Sequence, residues 1–272
     1  MANQMFGKIE HTLNVDFKMI LTDTHCHLND DLFNADRGQM IERAIQVGVS
    51  RLFIPNVNLS TVDGVMQLAE QYPDNCYPMM GLHPCEITED WANQIEIIDQ
   101  HLRYGKFYAV GEIGIDLHWD KTTFEMQRAA FMYQCKLAMQ LKLPVSIHSR
   151  NATLECIHII EKHQLFTGGV FHCFGGTLEQ ALLLIEMGFY IGVGGVVTYK
   201  NSSLPEQLKQ IPLDKIVLET DSPYLPPVPF RGQRNESAYL IEIAKRVAEI
   251  KMVSLQEVAE QTTMNSKKIF GI

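Results

Sequence analysis

The sequence predicts an α/β fold, a (β/α)8 TIM barrel in a single domain, because short apolar runs alternate with longer helical patterns along the chain. Eight of these runs have the length of strands and are apolar throughout, as strands buried on both faces are. A chain of 272 residues is long enough for one large barrel. The predicted strands are 20–24, 52–57, 77–81, 107–111, 145–148, 169–172, 189–192 and 216–219.

Helical patterns occupy the intervals between these runs. Two segments fit the capping box that opens a helix, with Thr177 three residues before Gln180 and Ser254 three residues before Glu257. The predicted helices include 40–48, 61–72, 123–143, 237–250 and 254–269. Residues 19–272 are therefore expected to form the barrel domain, and residues 1–18 an extension ahead of the first strand, with Met19 as an alternative start.

Composition narrows the class of protein. Hydrophobic residues make up 46% of the chain and charged residues 20%, which is ordinary for a globular protein. No run approaches the roughly 18 apolar residues of a membrane helix, and the first residues lack the apolar core of a secretory signal, so a cytoplasmic location without a membrane partner is expected. The six cysteines form no CxxC pair, which favours reduced thiols over disulfides.

The net charge of -9 bears on any nucleic-acid substrate. Proteins that hold long duplexes do so with basic surfaces that release counterions. An acidic chain is expected instead to grip a short stretch or an end, with metal ions supplying the positive charge.

Six polar residues lie at or just past the C-terminal ends of the predicted strands, where barrel enzymes place their sites. Taken alone, each has an ordinary structural explanation: a packed or solvated histidine, or a carboxylate in a turn. Residues 25 and 27 share one face of a strand and so can bind one ion together. Because a closed barrel brings strands one and eight together, the whole set favours a site for two divalent ions, formed by His25, His27, Glu112, His148, His172 and Asp221.

Several motifs of the chain resemble the TatD family of metal-dependent deoxyribonucleases, from about residue 19 to the end. They are HCH (25–27), GLHP (81–84), GEIGID (111–116), SIHSR (146–150), FHCFGG (171–176) and ETDSPYL (219–225) followed by PFRGQRN (229–235). The resemblance implies a TIM barrel, a binuclear metal site and hydrolysis of DNA phosphodiester bonds, often as an exonuclease.

The resemblance also implies a role for each ligand. His25, His27 and Asp221 would hold the first ion, His148 and His172 the second, and Glu112 would bridge them. The chain departs from the usual pattern at His118 and Trp119, which replace an aromatic pair, and at Asn151 and Gly175. These changes fall in loops that contact substrate, so they bear on substrate preference more than on chemistry.

Further roles follow from the two-metal hypothesis, in which ions activate a water that attacks phosphorus. Glu112 and Asp221 are the predicted catalytic residues, and Glu219 is expected to support a ligand. Trp119 or Tyr224 is expected to stack on a base. The imidazole-rich ligand set suits Zn or Mn, whereas the resemblance implies Mg. The predicted substrate contacts are Arg150, Arg231, Arg234 and His83.

Two alternatives remain open at this point. One is a binuclear amidohydrolase-type enzyme acting on a small amide, lactone or phosphoester. Such enzymes often carry a modified lysine at the end of strand four, where this chain has Glu112. The other is a non-catalytic metal-binding protein. Structural sites normally give each ion four protein ligands, whereas six side chains shared between two ions leave coordination positions open, which suits catalysis better.

Overall fold

Eight short strands lie within residues 19–272, the part of the chain that the computed structural model describes. Their residues are largely buried on both faces, which explains why each reads as an apolar run without alternation. The strands are β1 (Leu21–Asp23), β2 (Val49–Ile54), β3 (Cys76–Pro78), β4 (Val110–Gly114), β5 (Val145–His148), β6 (Gly169–Phe171), β7 (Phe189–Val193) and β8 (Ile216–Leu218).

The strands pair in parallel and close into a barrel. Strands β1 to β3 form one hydrogen-bonded sheet and β4 to β8 another. The sheets meet at both edges, where the Gly111 amide donates to Met80 O (3.0 Å) and the Thr24 amide to Leu218 O (3.0 Å). The predicted (β/α)8 barrel is therefore confirmed, and the carboxyl ends of all the strands surround one opening.

Helices surround the barrel. The predicted capping box at Thr177 forms both of its hydrogen bonds, whereas at Ser254 the side chain accepts from the Glu257 amide. No helix among residues 19–272 is long and apolar enough to cross a bilayer. The helices are α1 (Arg37–Gln46), α2 (Val62–Gln71), α3 (Trp91–Tyr104), α4 (Phe124–Leu141), α5 (Thr153–His163), α6 (Leu178–Glu186), α7 (Leu204–Leu208), α8 (Leu240–Lys251) and α9 (Leu255–Phe270).

The inside of the barrel is packed. Phe53 of β2, Val170 of β6 and Val217 of β8 belong to one buried cluster, together with Phe270. Strands on different sides of a barrel meet through their side chains only in its interior, so this cluster fills the barrel beneath the mouth. The polar residues of the mouth therefore rest on an apolar floor, shielded from water on that side.

Two strands are displaced along the chain from the sequence prediction, each by three residues. Strand β2 begins at Val49 and ends before Pro55, which has no amide hydrogen to donate. Strand β4 starts and ends three residues later than predicted, so Glu112 lies within the strand rather than beyond it. The predicted extension, residues 1–18, lies outside the described residues. All six cysteines are free, as expected.

Candidate metal centre

Glu112 lies at the centre of the barrel mouth, only 1% exposed. Strand β4 reaches this position because Gly111 lets it approach β5: a Cβ there would lie 2.7 Å from the Cβ of Ser146. The two carboxylate oxygens of Glu112 face different sets of imidazoles. Oε2 faces His25 and His27, whose Nε2 atoms lie 3.1 Å and 3.5 Å away.

The first set comes from the segments that follow β1 and β8. His25 and His27 lie past the end of β1 at Asp23, rather than on the strand as predicted, yet their Nε2 atoms are 3.3 Å apart. Asp221 Oδ1 lies 3.4 Å from His27 Nε2 and 4.0 Å from His25 Nε2. The Asp221 amide donates to His25 O (2.9 Å), which fixes the carboxylate beside the two rings.

The second set surrounds Oε1 of Glu112. His172 Nε2 lies 2.7 Å from this oxygen and His148 Nδ1 lies 2.8 Å from it, and the two nitrogens are 3.3 Å apart. His83 Nε2 is the third neighbour, at 3.2 Å. His83 was expected at the substrate, and the structure places its ring against Glu112, where it could join Glu112 and His148 in holding an ion.

The charges of the centre hold its acids ionised. Although burial opposes ionisation, His172, His83 and His25 keep the pKa of Glu112 well below its usual value. Burial also raises the pKa of Asp221, but the hydrogen bond with His27 and the charges of the neighbouring imidazoles outweigh burial and lower it. Burial and the neighbouring His172 lower the pKa of His25 to about 4.

The pKa values of two further imidazoles, His27 and His148, shift in the opposite direction. Burial disfavours their charged forms, yet Asp221 and Glu112 raise the pKa of His27. Burial also lowers the pKa of His148, but the hydrogen bonds to Asp116 and Glu112 outweigh burial and raise it to about 9. The buried carboxylates of this centre carry negative charge, and either bound protons or bound metal ions would stabilise that charge.

Asp116 is a site residue that the sequence reasoning missed. Its Oδ2 lies 2.8 Å from His148 Nε2, on the side of the ring away from Glu112. Its Oδ1 accepts from the amides of His118 (2.8 Å) and Trp119 (3.0 Å), so the loop after β4 holds the carboxylate in place. The signal available in the sequence was a second carboxylate, two residues after Gly114.

Glu219 lies behind the second set, fully buried. Its Oε1 accepts from the Cys173 amide and lies 3.8 Å from His172 Nδ1. Burial and the charge of Asp221 raise its pKa well above the usual value. The support role that we expected for Glu219 is compatible with this position, and it stays a prediction.

Arg150 and Arg231 lie on exposed loops at the mouth. The Arg150 guanidinium lies 5.4 Å from the ring centre of Trp119, which is 70% exposed. The Arg231 guanidinium lies 4.0 Å over the ring of Tyr199. A guanidinium stacked on an aromatic face keeps its donor edge free, so both positions suit a phosphate contact.

Arg234 has other partners. Its guanidinium pairs with both oxygens of Asp36 (2.7 Å and 2.8 Å), donates to Leu32 O (2.8 Å) and covers the ring of Phe33. These hydrogen bonds occupy the guanidinium N–H groups that would otherwise donate to a phosphate. The structure therefore favours a scaffold role, joining the β8 loop to the segment before α1, over the predicted substrate contact.

The buried donor set fits divalent ions. Two pairs of ring nitrogens face each other at 3.3 Å, and His172 Nδ1 has no hydrogen-bond partner among the described residues. Three groups of side chains could each hold an ion: His25, His27 and Glu112; His25, His172 and Asp221; His83, Glu112 and His148. Imidazole and carboxylate are the ligands of Zn and related ions.

Known proteins match this chain over most of its length. Residues 22–271 match the family model described as TatD related DNase. The chain is 38% identical to the metal-dependent hydrolase YabD of Bacillus subtilis, over 93% of this chain and 100% of that protein. It is 34% identical to a protein of Escherichia fergusonii named 3'-5' ssDNA/RNA exonuclease TatD, over 92% of this chain and 98% of that one.

The fold agrees with a solved structure as well. The TatD homologue YjjV from Escherichia coli matches with a TM-score of 0.87 and 34% identity. The match covers 93% of this chain and 98% of that one.

Proposed function

This chain belongs to the TatD family of metal-dependent hydrolases, and we propose that it cleaves phosphodiester bonds in DNA with two divalent ions, removing nucleotides from single-stranded ends. The observation that carries the two-metal proposal is the position of Glu112 between two sets of imidazoles, one at each carboxylate oxygen. A carboxylate in that position can bridge two cations.

The six predicted ligands fit this arrangement. His25, His27 and Asp221 would hold one ion and His148 and His172 the other, with Glu112 between them. When bound, the ions supply positive charge that polarises a phosphate oxygen and lowers the pKa of water. Imidazole-rich sites suit Zn or Mn, whereas Mg prefers oxygen ligands, so all three belong in the assays.

The two carboxylates have different tasks in this proposal. The side chain of Glu112 is 2% exposed and would serve only as a ligand, whereas that of Asp221 is 14% exposed and reaches the opening of the site. Asp221 would orient the attacking water and accept its proton at a carboxylate oxygen. Its lowered pKa leaves it ionised and ready for this role at neutral pH.

The rim of the mouth supports a nucleic-acid substrate. Arg150 would contact a phosphate and the exposed ring of Trp119 would stack on a base. Tyr224 is 49% exposed and its ring packs edge-on against His27, so it lies between the rim and the metal centre. A chain of net charge -9 suits a short single strand better than a long duplex.

The test is release of labelled nucleotides from end-labelled single-stranded DNA with Mg, Mn or Zn, and with a chelator. Glu112→Ala and Asp221→Ala are expected to lower the rate ~100-fold or more, because each removes a ligand and a charge at the reacting centre. Glu125→Ala, an exposed carboxylate on α4, is the control and should stay near the parent rate.

Single-stranded RNA and a panel of small amides, lactones and phosphoesters complete the assay. Turnover of the panel without nucleotide release under any ion would favour the amidohydrolase-type alternative. Parent-like rates in both alanine variants would refute the assigned centre.

A further inference from the structure

A second concave site lies on the rim, between the loops after β7 and β8. Its volume is about 400 Å³, within the range of ligand pockets. Tyr199 and Lys200 line it from the β7 side, and Val228 and Arg231 from the β8 side. Barrel enzymes frequently bind phosphate with these two loops, which makes the position informative.

Hydrogen bonds join the two loops to each other, so the fold itself fixes the shape of the cavity. The Tyr199 hydroxyl donates to Pro226 O (3.0 Å), and the Val228 amide donates to Thr198 Oγ1 (2.9 Å). Gly195 lies so close to the β8 loop that a Cβ there would come within 2.1 Å of Leu225 O. The walls are therefore held before any ligand arrives.

The chemistry of the lining suits a phosphate with an organic group attached. Neither Arg231 nor Lys200 pairs with a carboxylate anywhere in residues 19–272, in contrast to Arg234. The ring of Tyr199 supports the Arg231 guanidinium from below, at 4.0 Å, and leaves its edge free to donate. Val228 offers an apolar wall opposite the polar groups.

The cavity lies close to the metal centre. The β8 loop begins at Asp221, and a Cβ on Gly192 of β7 would lie 2.9 Å from the Cα of His172, so both loops leave the barrel beside the predicted metal ligands. A strand whose scissile phosphate lies at Glu112 could therefore extend across this part of the rim.

We infer that this cavity is a nucleotide subsite, in which Arg231 and Lys200 hold a backbone phosphate of the substrate strand away from the scissile bond. The inference rests on the proposed function, since it assigns the subsite to the same strand. A free mononucleotide offers the same phosphate and base as the strand, so binding of the mononucleotide and binding of the strand are tested separately.

The test is equilibrium binding of a fluorescent single-stranded dT hexamer, and of 5'-dTMP as a competitor, in the presence of a chelator. The double variant Arg231→Gln/Lys200→Gln should weaken hexamer binding about tenfold, and its KM for hexamer cleavage should rise more than its kcat falls. The matched control is Arg128→Gln/Lys136→Gln, which removes the same charge from the outer helix α4 and should behave like the parent.

Equal hexamer affinity in the two double variants, or a parent that binds no hexamer, would overturn the subsite. Competition by 5'-dTMP that depends on Arg231 and Lys200 would show that the subsite accepts a single nucleotide, and absence of competition would restrict it to the strand. Binding that depends on the two residues without any cleavage would leave the subsite in place and reject the proposed function.

Discussion

Asp116 and Glu112 hold His148 from opposite sides. Oδ2 of Asp116 lies 2.8 Å from His148 Nε2, and Oε1 of Glu112 lies 2.8 Å from His148 Nδ1. A carboxylate that accepts a hydrogen bond from the outer N–H of a ligand histidine fixes the tautomer of the ring and raises its basicity. Asp116 would therefore leave Nδ1 of His148 free as the metal-binding atom, with the ring held in one orientation.

Replacement of Asp116 by Asn tests this relationship. The Asn oxygen can still accept from the amides of His118 and Trp119, which preserves the loop, but an NH2 group would then face His148 Nε2. We expect divalent-ion affinity to fall roughly 10–100-fold, as for other losses of an outer carboxylate. Calorimetric titration of the metal-free protein measures this directly.

Asp120→Asn is the matched control for this variant. Asp120 lies in the same loop, and among residues 19–272 its carboxylate accepts hydrogen bonds from Thr122 alone, so the variant makes the same change in charge away from His148. Parent-like affinity is expected for Asp120→Asn. Equal affinities in both variants would show that Asp116 does not position the ring.

The raised pKa of His148 predicts a pH dependence of metal binding. Burial lowers the pKa of this ring, but Asp116 and Glu112 outweigh burial and raise it to about 9, so the metal-free ring carries a proton at pH 7. An ion binding to Nδ1 must displace that proton. Affinity should therefore rise with pH from 6 towards 9, by about tenfold per unit for each proton released, and level off above that range.

Calorimetry at pH 7 in two buffers of different ionisation enthalpy counts the protons released. About one or more protons per chain are expected, because His27 also has a raised pKa. Identical binding heats in both buffers would contradict the assignment of His148 as a ligand.

The sequence was sufficient to predict the barrel and the six residues that gather at its mouth. Apolar runs mark strands buried on both faces, and parallel strands bring their carboxyl ends together, so residues far apart in the chain could be placed at one mouth. The limits of β2 and β4 were less accurate. Strand β2 contains the polar residues Ser50 and Arg51, which a search for apolar runs leaves out, and the apolar residues 107–109 come before the first residue of β4.

Other contacts depend on loop geometry, which periodicity does not specify. Arg234 pairs with Asp36 across 198 residues of sequence, and no local pattern distinguishes it from Arg231. His83 reaches Glu112 because the segment after β3 turns back over the mouth, where the backbone amide of His83 donates a hydrogen bond to Val57 O (2.9 Å). Asp116 reaches His148 because the loop after β4 turns at this point, where the His118 amide donates to Asp116 Oδ1.

Closure of the barrel predicts a stability effect at Thr220. Its amide and hydroxyl donate to the two oxygens of the buried Asp23, at 2.9 Å and 2.6 Å, and so tie β8 to β1. Thr220→Val leaves one buried carboxylate oxygen without its donor, which should cost about 1–3 kcal/mol. Urea denaturation measures the loss in the free energy of unfolding.

An exposed threonine provides the comparison. Thr88→Val should change the unfolding free energy by less than about 0.5 kcal/mol, since Thr88 lies on the surface. A similar cost in both variants would mean that the link between Asp23 and Thr220 adds no stability.

Metal binding should also stabilise the folded chain. A divalent ion at 100 times its dissociation constant stabilises by about 2.7 kcal/mol for one site. The melting temperature of the metal-stripped protein should therefore rise on addition of Zn or Mn. Glu112→Gln should lose most of that rise, because it removes the charge between the two sets of imidazoles. A full rise in this variant would place the ions elsewhere.

The central claim is that one buried carboxylate joins two ions at the barrel mouth. Anomalous diffraction from crystals grown with Mn or Zn tests it most directly. We expect two peaks, one on the Oε2 side of Glu112 near His25 and His27 and the other on the Oε1 side near His148 and His172. A single peak, or peaks away from Glu112, would contradict it.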